Sequence, residues 1–443
     1  MVVFKRTSAI PLFGLVLTGP LVGQQSSSNL PGIGPNPRLP KSELVETNNF
    51  STKGKWPDGV MPKAPPGFRV QRFADNLVNP RWLYVLPNGD ILVAEASTKP
   101  KPPKNEKDRE HEVLLRQAGN ISTSADRITL LRDADKDGVV ETRTVFREKL
   151  NQPFGMLLLR DQFYLANTDG ILRFPYKLGQ TRLEGPGQKI LELPAGGYNN
   201  HWTRNLIANP AGSKIYITVG SASNVAEDGI QEEHRRANIL EINPDGSGER
   251  IYASGLRNPN GMDWQAGTGI LWTVVNERDN LGDDLVPDYL TSVREGGFYG
   301  WPFSYFGKHI DSRVKEARPD LVARSIVPDF AVGSHTASLG MAFYRKDAFP
   351  ARYKEGVFIG QHGSWNRTEF SGYKVVFVPF RNGRPVTPVE DLLTGFLADP
   401  KTGRTHGRPV GVVVDNAGAL LVADDTGNTV WRVSYLSDLA RSK

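Results

Sequence analysis

The chain has 443 residues, a net charge of +6 and no cysteine. That excludes disulfides, thiolate chemistry, Cys-ligated zinc and covalently attached c-type haem, so any electron carrier is a separate partner or a non-covalent cofactor. Charged residues make up 23% and hydrophobic ones 39%, an ordinary soluble composition, and no Lys/Arg block marks a nucleic-acid surface.

Lys5 and Arg6 precede an apolar run from Ala9 to Val22, and Gly23 leads into a polar stretch. The run is short and interrupted by Gly and Pro, which predicts a secretory signal over 1–23; an uncleaved N-terminal anchor is the alternative. The expected location is periplasmic or secreted, with no stable membrane insertion after signal cleavage. Residues 24–66 are rich in Pro, Gly, Ser and Asn and predict a flexible linker. The folded domain is then 67–443.

Gly67 to Phe73 alternates like a strand. A unit then recurs: a polar opening, an alternating apolar run, a turn of Pro, Gly or Asn, and a second strand. Its copies open at Arg81, Gln152, His201, Arg257 with Asn258, Ser338 and Arg408, spaced on average by about 65 residues. Outer strands are predicted at Arg127–Leu131, Ile239–Ile242 and Tyr373–Val378. Helical periodicity is weak, and the charged stretch Lys99–Glu112 reads as a surface loop. These features predict an all-β fold, a six-bladed β-propeller, with 68–73 closing the ring against Val430–Tyr435. Two packed β-domains are the alternative.

In a propeller the first strand of each blade lines the central channel, so the six openings meet at one mouth. Burying a charge without a partner is costly, and three arginines in such a ring point to a polyanionic guest or a water-filled channel. His201 is the one histidine among the openings. A neutral imidazole there suits a general base, with Arg257 discouraging a second positive charge and Asn199 and Asn200 able to fix its tautomer. The acidic loop around Glu277, Asp279, Asp283 and Asp284 offers hard oxygen donors that suit Ca²⁺, or is simply solvated. Asp133, Asp135 and Asp137 with Gly138 form half of a calcium loop or a hairpin turn held by Asx bonds. His335, His362 and His406 are a conceivable metal trio on different levels of the blades. Trp365 forms a cofactor or substrate wall, or packs.

Six stretches together resemble the quinoprotein glucose/sorbosone dehydrogenase family, most closely its L-sorbosone dehydrogenase-like branch. They are LNQPFGM (Leu150–Met156), NNHW (Asn199–Trp202), GLRNPNGMDW (Gly255–Trp264), NERDNLGDD (Asn276–Asp284), GGFYGWP (Gly296–Pro302) and GQHGSWNR (Gly360–Arg367). The resemblance spans roughly Gly67 to Tyr435. It implies a six-bladed propeller that binds pyrroloquinoline quinone (PQQ) and calcium and oxidises a sugar or sugar-derived aldehyde, passing electrons to an external acceptor. By the same resemblance His201 is the general base and Gln152 lies near substrate and quinone. Arg257 and Asn258 contact the reacting carbonyls, and Arg408 holds the cofactor's carboxylates. Arg367 or His362 falls where the family has a quinone-binding lysine, and Asn200 replaces an aspartate beside the base. Carbonyls of the loop Glu277, Arg278 and Asp279, with Asp284 nearby, stand at the calcium position; Arg278-Asp279 replaces the Gly-Pro of the glucose dehydrogenase branch. A calcium-dependent lactonase using Glu95, Asn167 and Asp424, or a non-enzymatic sugar- or partner-binding propeller, are the other readings of the same architecture.

Overall fold

The protein is described by a computed structural model over residues 32–103 and 105–436; the signal expected over 1–23 lies outside them. Six antiparallel sheets follow one another along the chain. Their innermost strands are Pro80–Val85, Met156–Leu159, Leu206–Ala208, Pro259–Trp264, Ser338–Phe343 and Pro409–Val414, opening blades 1 to 6 in that order. Each blade then runs outward through three more antiparallel strands, and blades 3 and 4 each add a fifth at the outer edge, Gly297–Phe298 (paired parallel) and Ile33–Gly34, which makes a six-bladed β-propeller. Blade 6 takes its outermost strand from the other end of the chain. Phe68–Ala74 pairs antiparallel with Thr429–Tyr435, from Phe68 opposite Tyr435 to Ala74 opposite Val430. The closing pair expected from the sequence is the one observed.

Second strands such as Ile91–Glu95, Ile215–Val219 and Leu420–Asp424 are buried at every position. A blade is covered on both faces by its neighbours, so apolar side chains on both sides of a strand are removed from water. The core is accordingly divided by interface. Trp82, Phe146, Phe154 and Phe163 pack between blades 1 and 2, whereas Tyr353, Phe358, Phe377 and Trp431 pack between blades 5 and 6. At particular glycines adjacent inner strands approach so closely that a side chain is excluded. A Cβ on Gly261 would lie 2.6 Å from the Met341 nitrogen, and one on Gly340 would strike the Val410 carbonyl.

Two sequence expectations are corrected. The stretch expected as a surface loop, Lys99–Glu112, runs into an α-helix over Glu106–Gln117. Asn105 caps it by accepting from the Asp108 N–H at 2.9 Å, and acidic residues occupy its first turn and Arg116 its last. None of its residues is buried, so it has no apolar stripe to read; its signals are all at its ends. The described part of the expected linker is fastened to the propeller. Ile33 pairs with Val332 on blade 4. The Asn49 N–H donates to the Trp365 carbonyl at 2.8 Å, Thr52 to Gly403 at 2.9 Å and Lys53 to Gln117 at 2.8 Å. Trp56 is buried among the side chains of blades 5 and 6. A few anchors and backbone hydrogen bonds hold a segment whose composition alone looks unstructured.

Candidate active site

The openings of the blades gather at one channel mouth because of how their inner strands begin. Four of those strands start with a β-bulge, between Pro80 and Trp82, Pro259 and Met262, Ser338 and Gly340, and Pro409 and Val412. A bulge bends the strand and re-aims the side chains beside it. A Pro or Gly within two residues of each of these polar openings is its sequence trace.

On one side of the mouth stands His201, on the approach to blade 3. Its Nδ1 lies 2.9 Å from both the Ser221 carbonyl and the Ser221 hydroxyl. The carbonyl only accepts, and the hydroxyl spends its own proton on the Ser223 carbonyl at 2.6 Å. Nδ1 therefore carries the hydrogen and Nε2 presents its lone pair. Burial first, and then the Arg257 charge, hold His201 well below the ordinary imidazole range. Two further buried groups fix its place. The Arg204 guanidinium donates to the His201 carbonyl at 2.7 Å. The Glu233 carboxylate accepts from the Ala222 and Ser223 N–H groups at 2.7 and 3.0 Å and so clamps the loop carrying Ser221. Asn258 adjoins His201 across Gly220, where an added Cβ would lie 2.5 Å from Asn258 Oδ1 and from His201 Cβ alike.

Arg257 is fully buried, and all of its nitrogens already donate. Nε reaches the Asn224 carbonyl at 3.2 Å, Nη1 the Glu277 carbonyl at 2.6 Å, and Nη2 Asn224 Oδ1 and Asp279 Oδ2 at 2.9 and 3.3 Å. It offers the mouth a positive charge rather than a spare hydrogen bond.

Across the channel, blades 1, 5 and 6 contribute a second charged group. Arg81 Nη1 donates to Asp425 Oδ2 at 2.5 Å, and His362 Nε2 lies 2.9 Å from the same oxygen. Burial works to raise Asp425, but His362, Arg81 and Arg408 win and hold it far below the carboxylate range. Burial and the Arg408 charge push His362 down to about 4. Arg408 donates to the His362 and Gly363 carbonyls at 2.9 Å each and also to Asn120 Oδ1. The Arg81 guanidinium lies over the Trp202 ring at 5.6 Å, next in the chain to His201. The two sides of the mouth thus adjoin. Gln152 joins them, its backbone at φ 50° and its Nε2 donating to the Ser97 carbonyl at 2.9 Å.

The mouth fits an anionic, polar guest. Arg81 Nε and Asn258 Oδ1 are buried and have no hydrogen-bond partner, a costly arrangement that a bound group would relieve. The loop Asn276–Asn280 does not fit calcium in the same way. Its Glu277 carbonyl accepts from Arg257, and its Asp279 carbonyl accepts from Arg313 Nη1 at 2.6 Å. The Glu277 carboxylate is spent on Arg278, at 3.2 Å, while the Arg278 side chain points into the core and reaches the Pro302 and Ser304 carbonyls and Asp311. The Asp279 carboxylate lies between Arg257 and His335.

Other residues singled out in the sequence do not join the ring. Asp284 pairs with Arg367 at 2.8 Å, and Arg367 also donates to the Asp283 carbonyl, so the two pin one loop to another. Ser338 is buried beneath the mouth against Thr336. The Asn200 side chain is exposed. Trp365 stacks on Phe50 of the N-terminal segment, centroids 5.1 Å apart, and meets His111 edge-on. His335, His362 and His406 each have separate partners, Asp279, Asp425 and the Lys55 carbonyl. On the outer hairpin of blade 1, Asp133, Asp135, Asp137 and Glu141 each bring an oxygen within 4.8 Å of the others; Glu141, three residues before the Thr144 of the calcium-loop reading, supplies the fourth carboxylate. Asp425, Ser221, Asn224 and Arg313 are site residues that the sequence did not single out, because each acts through a loop whose partner is distant in the chain.

A closed propeller whose mouth combines a neutral imidazole with a ring of arginines is a scaffold for handling a polar anionic group beside a base. Residues 166–375 match the family model described as Glucose / Sorbosone dehydrogenase, which bears out the resemblance carried by the motifs. That span contains His201, Arg257, Asn258, the 276–284 loop and His362, and leaves Gln152 and Arg408 outside. Among curated proteins, an uncharacterized protein of Borreliella burgdorferi is 28% identical over 384 residues, covering 84% of this chain and 90% of the relative. The aldose sugar dehydrogenase YliI of Escherichia coli K12 is 32% identical over 120 residues, covering 27% of this chain and 30% of that protein. Among solved structures, the holo pyranose dehydrogenase PQQ domain of Coprinopsis cinerea superposes with a TM-score of 0.67 at 20% identity, over 87% of this chain and all of that one. This last likeness shows a common fold. Among the described residues no helix is long and apolar enough to cross a membrane.

Proposed function

We propose that this chain is a quinoprotein dehydrogenase that oxidises a sugar or sugar-derived aldehyde outside the cytoplasm. The observation that carries the reading is the channel mouth itself. His201, neutral with a free Nε2, shares it with Arg81, whose Nε is buried and unpaired. A flat tricarboxylate such as PQQ gives the arginines a purpose, and the family match supports that guest over other anions.

PQQ, when bound, supplies the acceptor for the hydride leaving the substrate carbon. The chain's own residues do the rest. His201 Nε2 takes the proton of the substrate hydroxyl, while Ser221 holds the opposite nitrogen and so fixes the ring plane. The Arg257 charge favours electron density building up beside it. Arg81 and Arg408 meet carboxylates. Gln152 and Asn258 orient polar groups of substrate or cofactor, and His362 with Asp425 holds Arg81 in place. No step is assigned to calcium, since the carbonyls of its expected loop are already taken by guanidinium groups. Electrons leave to an external acceptor, a soluble carrier or a membrane quinone.

The lactonase reading finds less support. Glu95 accepts from Arg127, Thr129 and the Val78 N–H, and Asp424 from Trp56, Trp431 and the Arg408 and Gly427 N–H groups. Neither carboxylate is free for an axial ion. Purified protein reconstituted with PQQ is expected to reduce a redox dye with members of an aldose and sugar-aldehyde panel. Lactone hydrolysis without PQQ, or silence in both assays, overturns the reading.

A further inference from the structure

The loop Asn276–Asn280 lies where the quinoprotein reading places a divalent cation, yet it is already served by cations of its own. Arg257 Nη1 donates to the carbonyls of Asn276 and Glu277 at 3.3 and 2.6 Å. Arg313 Nη1 donates to those of Asp279 and Asn280 at 2.6 and 3.4 Å. Neither guanidinium is loosely held. Asp311 grips Arg313 with both oxygens, at 3.0 and 2.8 Å, and is itself buried and paired with Arg278 at 3.0 Å. The loop is also braced from the outside, where the Asp279 N–H and carbonyl are both bonded to the Asn224 side chain.

Carbonyl oxygens are the ligands a hard cation needs. A calcium ion here would have to displace two guanidinium groups that are bidentate or fully donated, and would then sit among three arginines. A positive charge fixed by the fold already supplies what a bound metal would supply, namely neutralisation of an anionic guest.

We propose that the cofactor mouth is metal-free by construction: Arg257 and Arg313 occupy the carbonyls of the 276–280 loop, and fixed guanidinium charge replaces the divalent cation in binding the quinone. The inference rests on the quinoprotein reading only for the identity of the guest.

The test uses the full chain carrying Asp135→Asn and Asp137→Asn, which removes the exposed acidic cluster on blade 1 as a competing calcium binder. Calcium chloride is titrated calorimetrically with and without PQQ, and PQQ binding is followed by fluorescence after exhaustive chelation and again in excess calcium. The expected result is no calcium-binding heat in either titration and a PQQ Kd that changes by less than about twofold between chelator and calcium. Stoichiometric calcium binding overturns the proposal. So does a PQQ affinity that falls about tenfold or more in chelator and recovers with calcium. If PQQ fails to bind under both conditions while calcium also fails to bind, the quinoprotein reading falls and the metal-free loop stands.

Discussion

At the scale of single residues, the decisive feature is that His201 can take a proton on one nitrogen only. Ser221 accepts from Nδ1, so Nε2 is left as the base. His201→Ala is expected to lower kcat by about 10²–10⁴-fold while leaving PQQ affinity unchanged. A variant oxidising at the parental rate would remove the proposed base. Because burial and Arg257 keep the imidazole neutral, the base form persists as pH falls. The acid limb of kcat/KM should therefore lie well below the ordinary histidine value of about 6.5, and a limb at or above it contradicts the assignment. Arg81 carries the other half of the chemistry. Arg81→Met removes a charge-assisted contact of roughly 1.5–3 kcal/mol, expected as a PQQ Kd weakened about tenfold or more. Polar openings at Arg81, Gln152, His201 and Arg408 could be picked out of the sequence because each stands at or ahead of the inner strand of a recurring hairpin. What could not be read was how the arginines spend their donors. The acceptors of Arg257 are loop atoms of residues 224 and 276–279, and those of Arg408 are atoms of residues 120, 362 and 363. Such pairings have no sequence period.

At the scale of elements, strands were read well where alternation or a continuous apolar run met a turn. The third strands Arg127–Arg132, Asn238–Ile242 and Lys374–Val378 fall where expected. The helix Glu106–Gln117 was missed because it buries nothing. Stability of an exposed helix comes from caps and charge pairs such as Glu112–Arg116, which carry little signal in a hydrophobic pattern. The inner strands make a sharper demand. Gly340 has no room for a Cβ beside blade 6, so Gly340→Ala should cost about 1–3 kcal/mol through forced separation of two inner strands. Gly196→Ala, where nothing lies within 4 Å, should stay within about 0.5 kcal/mol. Urea unfolding of the two variants side by side checks the contrast. Equal midpoints would mean that the inner strands are not in tight contact.

At the scale of the whole molecule, the N-terminal segment before the closing strand is part of the structure. Trp56 donates its indole N–H to Asp424 at 2.7 Å and packs against Trp431, centroids 5.0 Å apart. The same carboxylate accepts from the Arg408 N–H. Trp56→Ala should therefore destabilise the protein by about 3–5 kcal/mol, as expected for a large aromatic removed from a core. It should also weaken PQQ binding by loosening Arg408. Unchanged melting would show that the segment rests on the propeller without supporting it. Composition hid this role, since a Pro- and Gly-rich stretch with a handful of anchors looks the same in sequence whether or not the anchors find a surface.

The last blade draws on both ends of the folded chain, with Phe68–Ala74 laid beside Thr429–Tyr435. During synthesis the first of these strands emerges early and waits for a partner more than three hundred residues away. Until the final strand leaves the ribosome, one bare edge and two apolar blade faces stay uncovered, the state in which chains most readily aggregate. A protein built this way gains from being kept extended by a chaperone and assembled only when its whole length is in hand.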